Sequence, residues 1–182
     1  MRRRSWLSGL VLIAVASAVS AEEAGERFVT PPVPDPDAWE VVQDPAHPSS
    51  RLWKSRQDER DQYRIDVLSG SPDGLPEARM TLDAPGKARC RRFDTTTIEQ
   101  SRINGYPRIL WRTDCVREDG TPTTHLNLVI RGRDGLYLAL KSWPIAADDA
   151  ELGRWIEHFE RHLVCDPRTP AHPCPPGAAP PQ

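Results

Sequence analysis

No acidic residue precedes Glu22, no second long apolar run follows the one at residues 6–19, and no cysteine stands near the end of that run. The first absence leaves Arg2, Arg3 and Arg4 as the only charges of the opening segment. The second excludes a later membrane-spanning helix, which needs roughly 20 apolar residues. The third argues against lipid anchoring at a lipobox cysteine. Also missing are a Gly-x-Ser-x-Gly elbow, a phosphate-binding glycine-rich loop and a Cys-x-x-Cys pair. No nucleophile, cofactor or thiol redox site is therefore written as a local motif. A triad can be scattered along a chain, and these gaps leave a dispersed hydrolase site open.

What the opening segment does contain reads as a signal peptide at residues 1–21. Three arginines lead into an apolar run broken only by small residues, and Val19 and Ala21 supply the small −3 and −1 positions of a cleavage site. Cleavage after Ala18 is the second reading. The run is too short for a spanning helix, so no stable membrane anchor is expected after cleavage. Arg3-Arg4 loosely resembles a twin-arginine signal, but ordinary basic leaders carry such pairs too. The expected location is periplasmic or secreted.

The 182-residue chain has a formal net charge of −2, and losing three arginines and no acid makes the exported part more acidic. That argues against nucleic acid as a partner. The remaining length suits one domain, and six tryptophans are more than a disordered chain carries. All four cysteines lie beyond the signal. An even number in an exported chain reads as disulfides, and proximity along the chain favours Cys90–Cys115 and Cys165–Cys174.

Prolines mark the edges. Six lie within residues 30–48 and seven within residues 167–182, where fixed φ and a missing N–H oppose helix and interior sheet. The expected organisation is a proline-rich leader at residues 22–49, one domain at residues 50–174 and a disordered proline-rich tail at residues 175–182. Alternation of apolar and polar residues predicts a strand around Tyr63, Ile65 and Val67. Ala78, Met80, Leu82 and Ala84 alternate in the same way, although their neighbours are good helix formers and a helix is the other reading. Further strands are expected at residues 92–102, 108–117, 124–131 and 136–143. Asn104-Gly105 is a hairpin turn signal that brings Cys90 and Cys115 together only if a bulge shifts the register. Leu126, Leu128 and Ile130 are expected to share one face with Leu136, Leu138 and Leu140. A helix capped by Asp148 or Asp149 runs to about Leu163, with Leu152, Trp155, Ile156, Phe159 and Leu163 on its apolar face.

An antiparallel β-sheet covered by a C-terminal helix, stapled by two disulfides, is an α+β fold. The order of elements resembles that of PsbP/Mog1-like domains, a likeness of arrangement that implies no activity.

Among candidate sites, Arg89, Arg91 and Arg92 around Cys90 would meet Arg108 and Arg112 across the hairpin. Together they would form a basic face on an acidic protein, able to dock an anionic ligand or an envelope protein. The competing reading is a solvated strand face offset by Asp94, Glu99, Asp114 and Glu118. His158 and His162, four apart on the last helix, lack metalloprotease spacing and a visible third ligand. Cys165, Asp166, His172 and Cys174 form the densest set of potential ligands, but exported cysteines are usually oxidised. Neither metal nor cofactor is expected. These readings favour a small exported binding or interaction protein acting without chemistry, an inhibitor or immunity-type protein being one version. An envelope hydrolase using His125 or His158 as base, and a structural envelope protein, are the alternatives.

Overall fold

The computed structural model describes residues 25–43, 47, 49–71 and 73–177. The expected signal peptide lies outside the described residues, as do positions 178–182 of the expected tail. In chain order the elements are β1 (Arg27–Val29), β2 (Trp39–Val42), β3 (Ser50–Ser55), β4 (Gln62–Ser69), α1 (Leu75–Arg89), β5 (Cys90–Ile103), β6 (Tyr106–Arg117), β7 (Pro122–Arg131), β8 (Gly135–Trp143), α2 (Asp149–Glu160) and β9 (Leu163–Cys165). Seven strands form one antiparallel sheet in the order β2-β3-β4-β8-β7-β6-β5. Its topology is two meanders joined by α1. The first, β2 to β4, ends in mid-sheet; α1 carries the chain across one face to the far edge; β5 to β8 then return to pair with β4.

The helix alternative is the one realised at residues 75–89. Leu75, Ala78, Leu82 and Asp83 recur at three- and four-residue intervals and face the sheet, while Met80 is exposed. Pro76 sits in the first turn, where its missing N–H costs nothing. Asp83 accepts a hydrogen bond from Trp111 Nε1 at 3.0 Å, and Arg79 donates to the hydroxyls of Thr95 and Thr97 at 2.8 Å each. Gly86 lets Phe93 lie against the helix, since a Cβ there would fall 2.4 Å from the ring.

Two helices thus cover opposite faces. α1 packs on Ile109, Trp111, Val129, Leu136 and Leu138. On the other face α2 brings Leu152, Trp155 and Phe159 against Leu110, Leu126, Leu128, Ile130 and Ala139. Strands buried on both sides read as near-continuous apolar runs, as β7 and β8 do. This corrects the expected placement of six aliphatic residues on one face. Leu126, Leu128 and Ile130 pair with Lys141, Ala139 and Tyr137, so Leu136, Leu138 and Leu140 point the other way. A one-residue difference in register exchanges the faces.

Asn104 and Gly105 have φ of 49° and 83°, the left-handed pair that the β5–β6 turn requires. The register between these strands shifts twice, at Thr97/Glu99 and Cys90/Arg92, which supplies the irregularity the disulfide needs. Both expected bridges are formed, with Cα separations of 5.5 Å for Cys90–Cys115 and 4.9 Å for Cys165–Cys174.

Asp148 caps α2 by accepting from Glu151 N at 2.8 Å. The helix ends at Glu160 rather than near Leu163, because Leu163 enters β9 and pairs with Val29. That pairing draws in the proline-rich segment, which is more than a spacer. β1 pairs with β9, β2 pairs with β3, and Trp39 packs edge-on against Trp155 at 5.6 Å. Four of its prolines lie between β1 and β2, where no sheet bond is lost.

Candidate functional site

α1 is too short to cover its whole face of the sheet. Under its C-terminal end the strand pairing places Thr113 of β6, His125 of β7 and Ser142 of β8 side by side in one row. One step toward the helix the row is Trp111, Asn127 and Leu140; one step away it holds Cys115 and Thr123. These residues floor a cleft of about 730 Å³, walled by Leu82, Pro85 and Phe93 and by the Cys90–Cys115 bridge. Arg89 stands at its rim on the α1 side, and Arg117, Glu118 and Asp119 stand at the end of β6. That volume lies within the range of small-molecule sites.

The floor carries uncharged hydrogen-bonding groups. His125 Nδ1 shares a 2.9 Å hydrogen bond with Ser142 Oγ, while no protein group among the described residues occupies Nε2. Burial, reinforced by the Arg117 charge, holds the imidazole below its ordinary range, so it is neutral near pH 7. Asn127 Nδ2 donates a long 3.4 Å bond to Thr113 Oγ1.

The five arginines read from the sequence do not gather on one face. Arg92, Arg108 and Arg112 lie on the α2 side and are each ion-paired, with Asp94 at 3.1 Å, Glu99 at 2.6 Å and Asp114 at 2.7 Å. Arg108 is nearly buried and also donates to Ser101 Oγ and to the Glu160 carbonyl, so it fastens α2 to the hairpin. Arg91 sits exposed in the register shift beside Cys90. Arg89 alone of the five lines the cleft, joined there by Arg117, and neither guanidinium has an ion-pair partner among the described residues. Sequence reasoning missed Ser142, which shares a row with Thr113 and His125, and Asn127 in the row beside it. The signal was in β7, where Thr123, His125 and Asn127 occupy one alternation while Leu126, Leu128 and Ile130 fill the other.

Two other histidines, His158 and His162, are built into the opposite face. His158 and His162 are fully buried with ring centroids 4.9 Å apart. His162 Nδ1 donates to the His158 carbonyl at 3.1 Å, which leaves Nε2 to accept from the Tyr63 hydroxyl at 2.7 Å. Among the described residues neither nitrogen of His158 has a hydrogen-bond partner. Burial pushes His158 down to about 4 and His162 to about 3. Lys141 is also fully buried there, ion-paired with Asp61 and 4.4–5.1 Å from the indole centroids of Trp143, Trp39 and Trp155. Of the C-terminal set, Cys165 and Cys174 are joined, Asp166 is paired with Arg168 at 2.8 Å, and His172 stacks on Tyr106. Among the described residues no group of three or more His, Cys, Asp or Glu is placed to hold a metal ion.

Fold and bridges define the class: an α+β domain stapled by two disulfides, bridges of the kind that persist in an oxidising compartment. No protein-family model matches the chain, and no curated protein matches it. Among solved structures it is similar to PsbP from the cyanobacterium Synechocystis, with 12% identity over 80% of this chain and 94% of that chain and a TM-score of 0.47. It is similar to LpqN of Mycobacterium tuberculosis, a protein involved in cell envelope biogenesis, at 16% identity over 80% and 87% with a TM-score of 0.46. The Saccharomyces cerevisiae Ran-binding protein Mog1p aligns at 10% identity over 73% and 83%, with a TM-score of 0.43. The arrangement is the one the order of elements implies, and nothing about activity passes from these proteins to this one.

Proposed function

We propose that this protein is a periplasmic binding protein that acts without chemistry and takes an anionic ligand in the cleft under the end of α1. The observation that carries the reading is the contrast among its arginines. Those on the α2 side are ion-paired with carboxylates, whereas among the described residues Arg89 and Arg117 make no direct ion pair, although the Arg117 charge is felt by Asp119. An exposed guanidinium that makes no ion pair of its own is a ready donor to carboxylate or phosphate oxygens. The disulfides and the signal-like leader support the location.

The test is a titration with inorganic phosphate followed by 15N-resolved NMR. Saturable shifts are expected at Arg89, Arg117, Thr123 and His125, and they should vanish in an Arg89→Ala/Arg117→Ala double variant. Shifts centred on Arg92 and Arg112, or none that saturate, would overturn the proposal.

One observation favours a second reading, hydrolysis with Ser142 as nucleophile and His125 as base: their 2.9 Å hydrogen bond inside a cleft. No carboxylate among the described residues is hydrogen-bonded to His125 to orient it. A fluorophosphonate probe decides, since covalent labelling of Ser142 would replace the binding reading with the hydrolytic one. His158 offers no such base, being sealed on the other face.

A further inference from the structure

We infer that the ligand of the cleft is an acidic saccharide: a polyhydroxylated body on the floor with its anionic group at the arginine rim. The inference rests on the binding reading above and adds the chemistry of the part that lies beneath the charge. The floor carries Thr113, Thr123, His125, Asn127 and Ser142 on three adjacent strands, and none of them is charged near neutral pH. Along β7, Asn127 to Thr123 spans about 14 Å at strand rise, longer than one sugar ring. Such a surface discriminates between two kinds of anion.

Thr113, Thr123 and Asn127 are themselves buried, so the polar groups open to the cleft are chiefly the half-buried His125 and Ser142. An alkyl tail laid on these two would strip water from imidazole and hydroxyl and return no hydrogen bond. Sugar hydroxyls both donate and accept, so they replace the displaced water group for group. His125 is suited to this exchange because its Nδ1 is already committed to Ser142 and Nε2 remains for the ligand. Phe93 and Pro85 on the α1 side give an apolar wall for the C–H face of a ring. The charge is read separately, by Arg89 on the α1 side of the rim and by Arg117 at the end of β6, the latter partly offset by Asp119.

Four probes separate the possibilities on the intact exported chain by calorimetry: glucuronate, glucose, decanoate and inorganic phosphate. Glucuronate is expected to bind at least tenfold tighter than phosphate and than glucose, with decanoate weaker than glucuronate. The variant His125→Phe should lower glucuronate affinity more than phosphate affinity and shift preference toward decanoate. A tetragalacturonate tighter than the monomer identifies an extended acidic glycan as the source, and equal affinity identifies a free sugar acid. Decanoate binding tighter than glucuronate, or glucuronate no tighter than phosphate, would overturn the saccharide inference while leaving an anion site in place. Failure of every anion, phosphate included, would overturn the binding reading itself.

Discussion

The two faces of the sheet are made by alternate residues of the same strands, yet one is sealed and the other is left open. On the α2 face, Trp39, Tyr63, Trp143, Trp155 and Phe159 close over the strands, and the polar groups caught there are enclosed by aromatic rings. On the α1 face the aliphatic patch ends near Leu140 and the strands continue into Thr113, His125 and Ser142 beneath open space. The same residue type therefore has two fates. His158 and His162 are packing elements held neutral by burial, whereas His125 faces the cleft with Nε2 bonded to no protein group among the described residues. Lys141 and Ser142 are chain neighbours and show the same division, one sealed among three indoles and the other lining the cleft.

If that division is real, damage to the sealed face should cost stability, and damage to the open face should cost binding. The largest effect is expected from Trp155→Ala, which removes a fully buried side chain that touches Trp39, Tyr63 and Trp143. A loss of about 3–5 kcal/mol is typical of such a truncation and is measurable by urea unfolding. Next comes acid. Unfolded histidines titrate near 6.5, so as pH falls below that value the unfolded chain takes up protons that the folded chain refuses, and stability declines toward the folded values. For His158, held at about 4, the loss approaches roughly 3 kcal/mol once that value is reached. The carboxylates of Glu99 and Asp166, held low chiefly by Arg108 and Arg168, push in the same direction at lower pH. The variant His158→Leu isolates the histidine share: its unfolding free energy should fall less than the parent's between about pH 7.5 and 4.5.

Removing the bridge at the cleft wall, as Cys90→Ser/Cys115→Ser, should cost about 2–4 kcal/mol by freeing the unfolded chain. It should also weaken ligand binding, because Cys90 caps α1 and Cys115 lies in the floor. Smallest in stability are Arg89→Ala and Arg117→Ala, exposed and unpaired, which should stay within about 0.5 kcal/mol of the parent. Their effect belongs to affinity. Equal stability losses from the arginine and tryptophan variants would dissolve the distinction between the faces.

Much of the sheet was legible because strand alternation and the Asn-Gly turn are local signals, and the bridges followed from spacing. The facing of β8 was not, since it depends on a register one residue from the assumed one. Residues 75–89 were ambiguous because Ala78, Met80, Leu82 and Ala84 alternate like a strand while Leu75, Ala78 and Leu82 also trace a helical stripe. Packing on Trp111 decides the case. The arginine cluster was visible but its partners were not. Arg108 pairs with Glu99 nine residues away through a bulged hairpin that composition alone cannot place. The cleft needed five elements brought together, α1 and β5 to β8, and only Arg89 among the expected binding residues reaches it.

The most direct measurement is the affinity of the parent for glucuronate set against two double variants of equal charge change. The account expects Arg89→Ala/Arg117→Ala to lose at least tenfold in binding and Arg92→Ala/Arg112→Ala to bind like the parent. The reverse order, with the ion-paired arginines of the α2 side carrying the affinity, would contradict it.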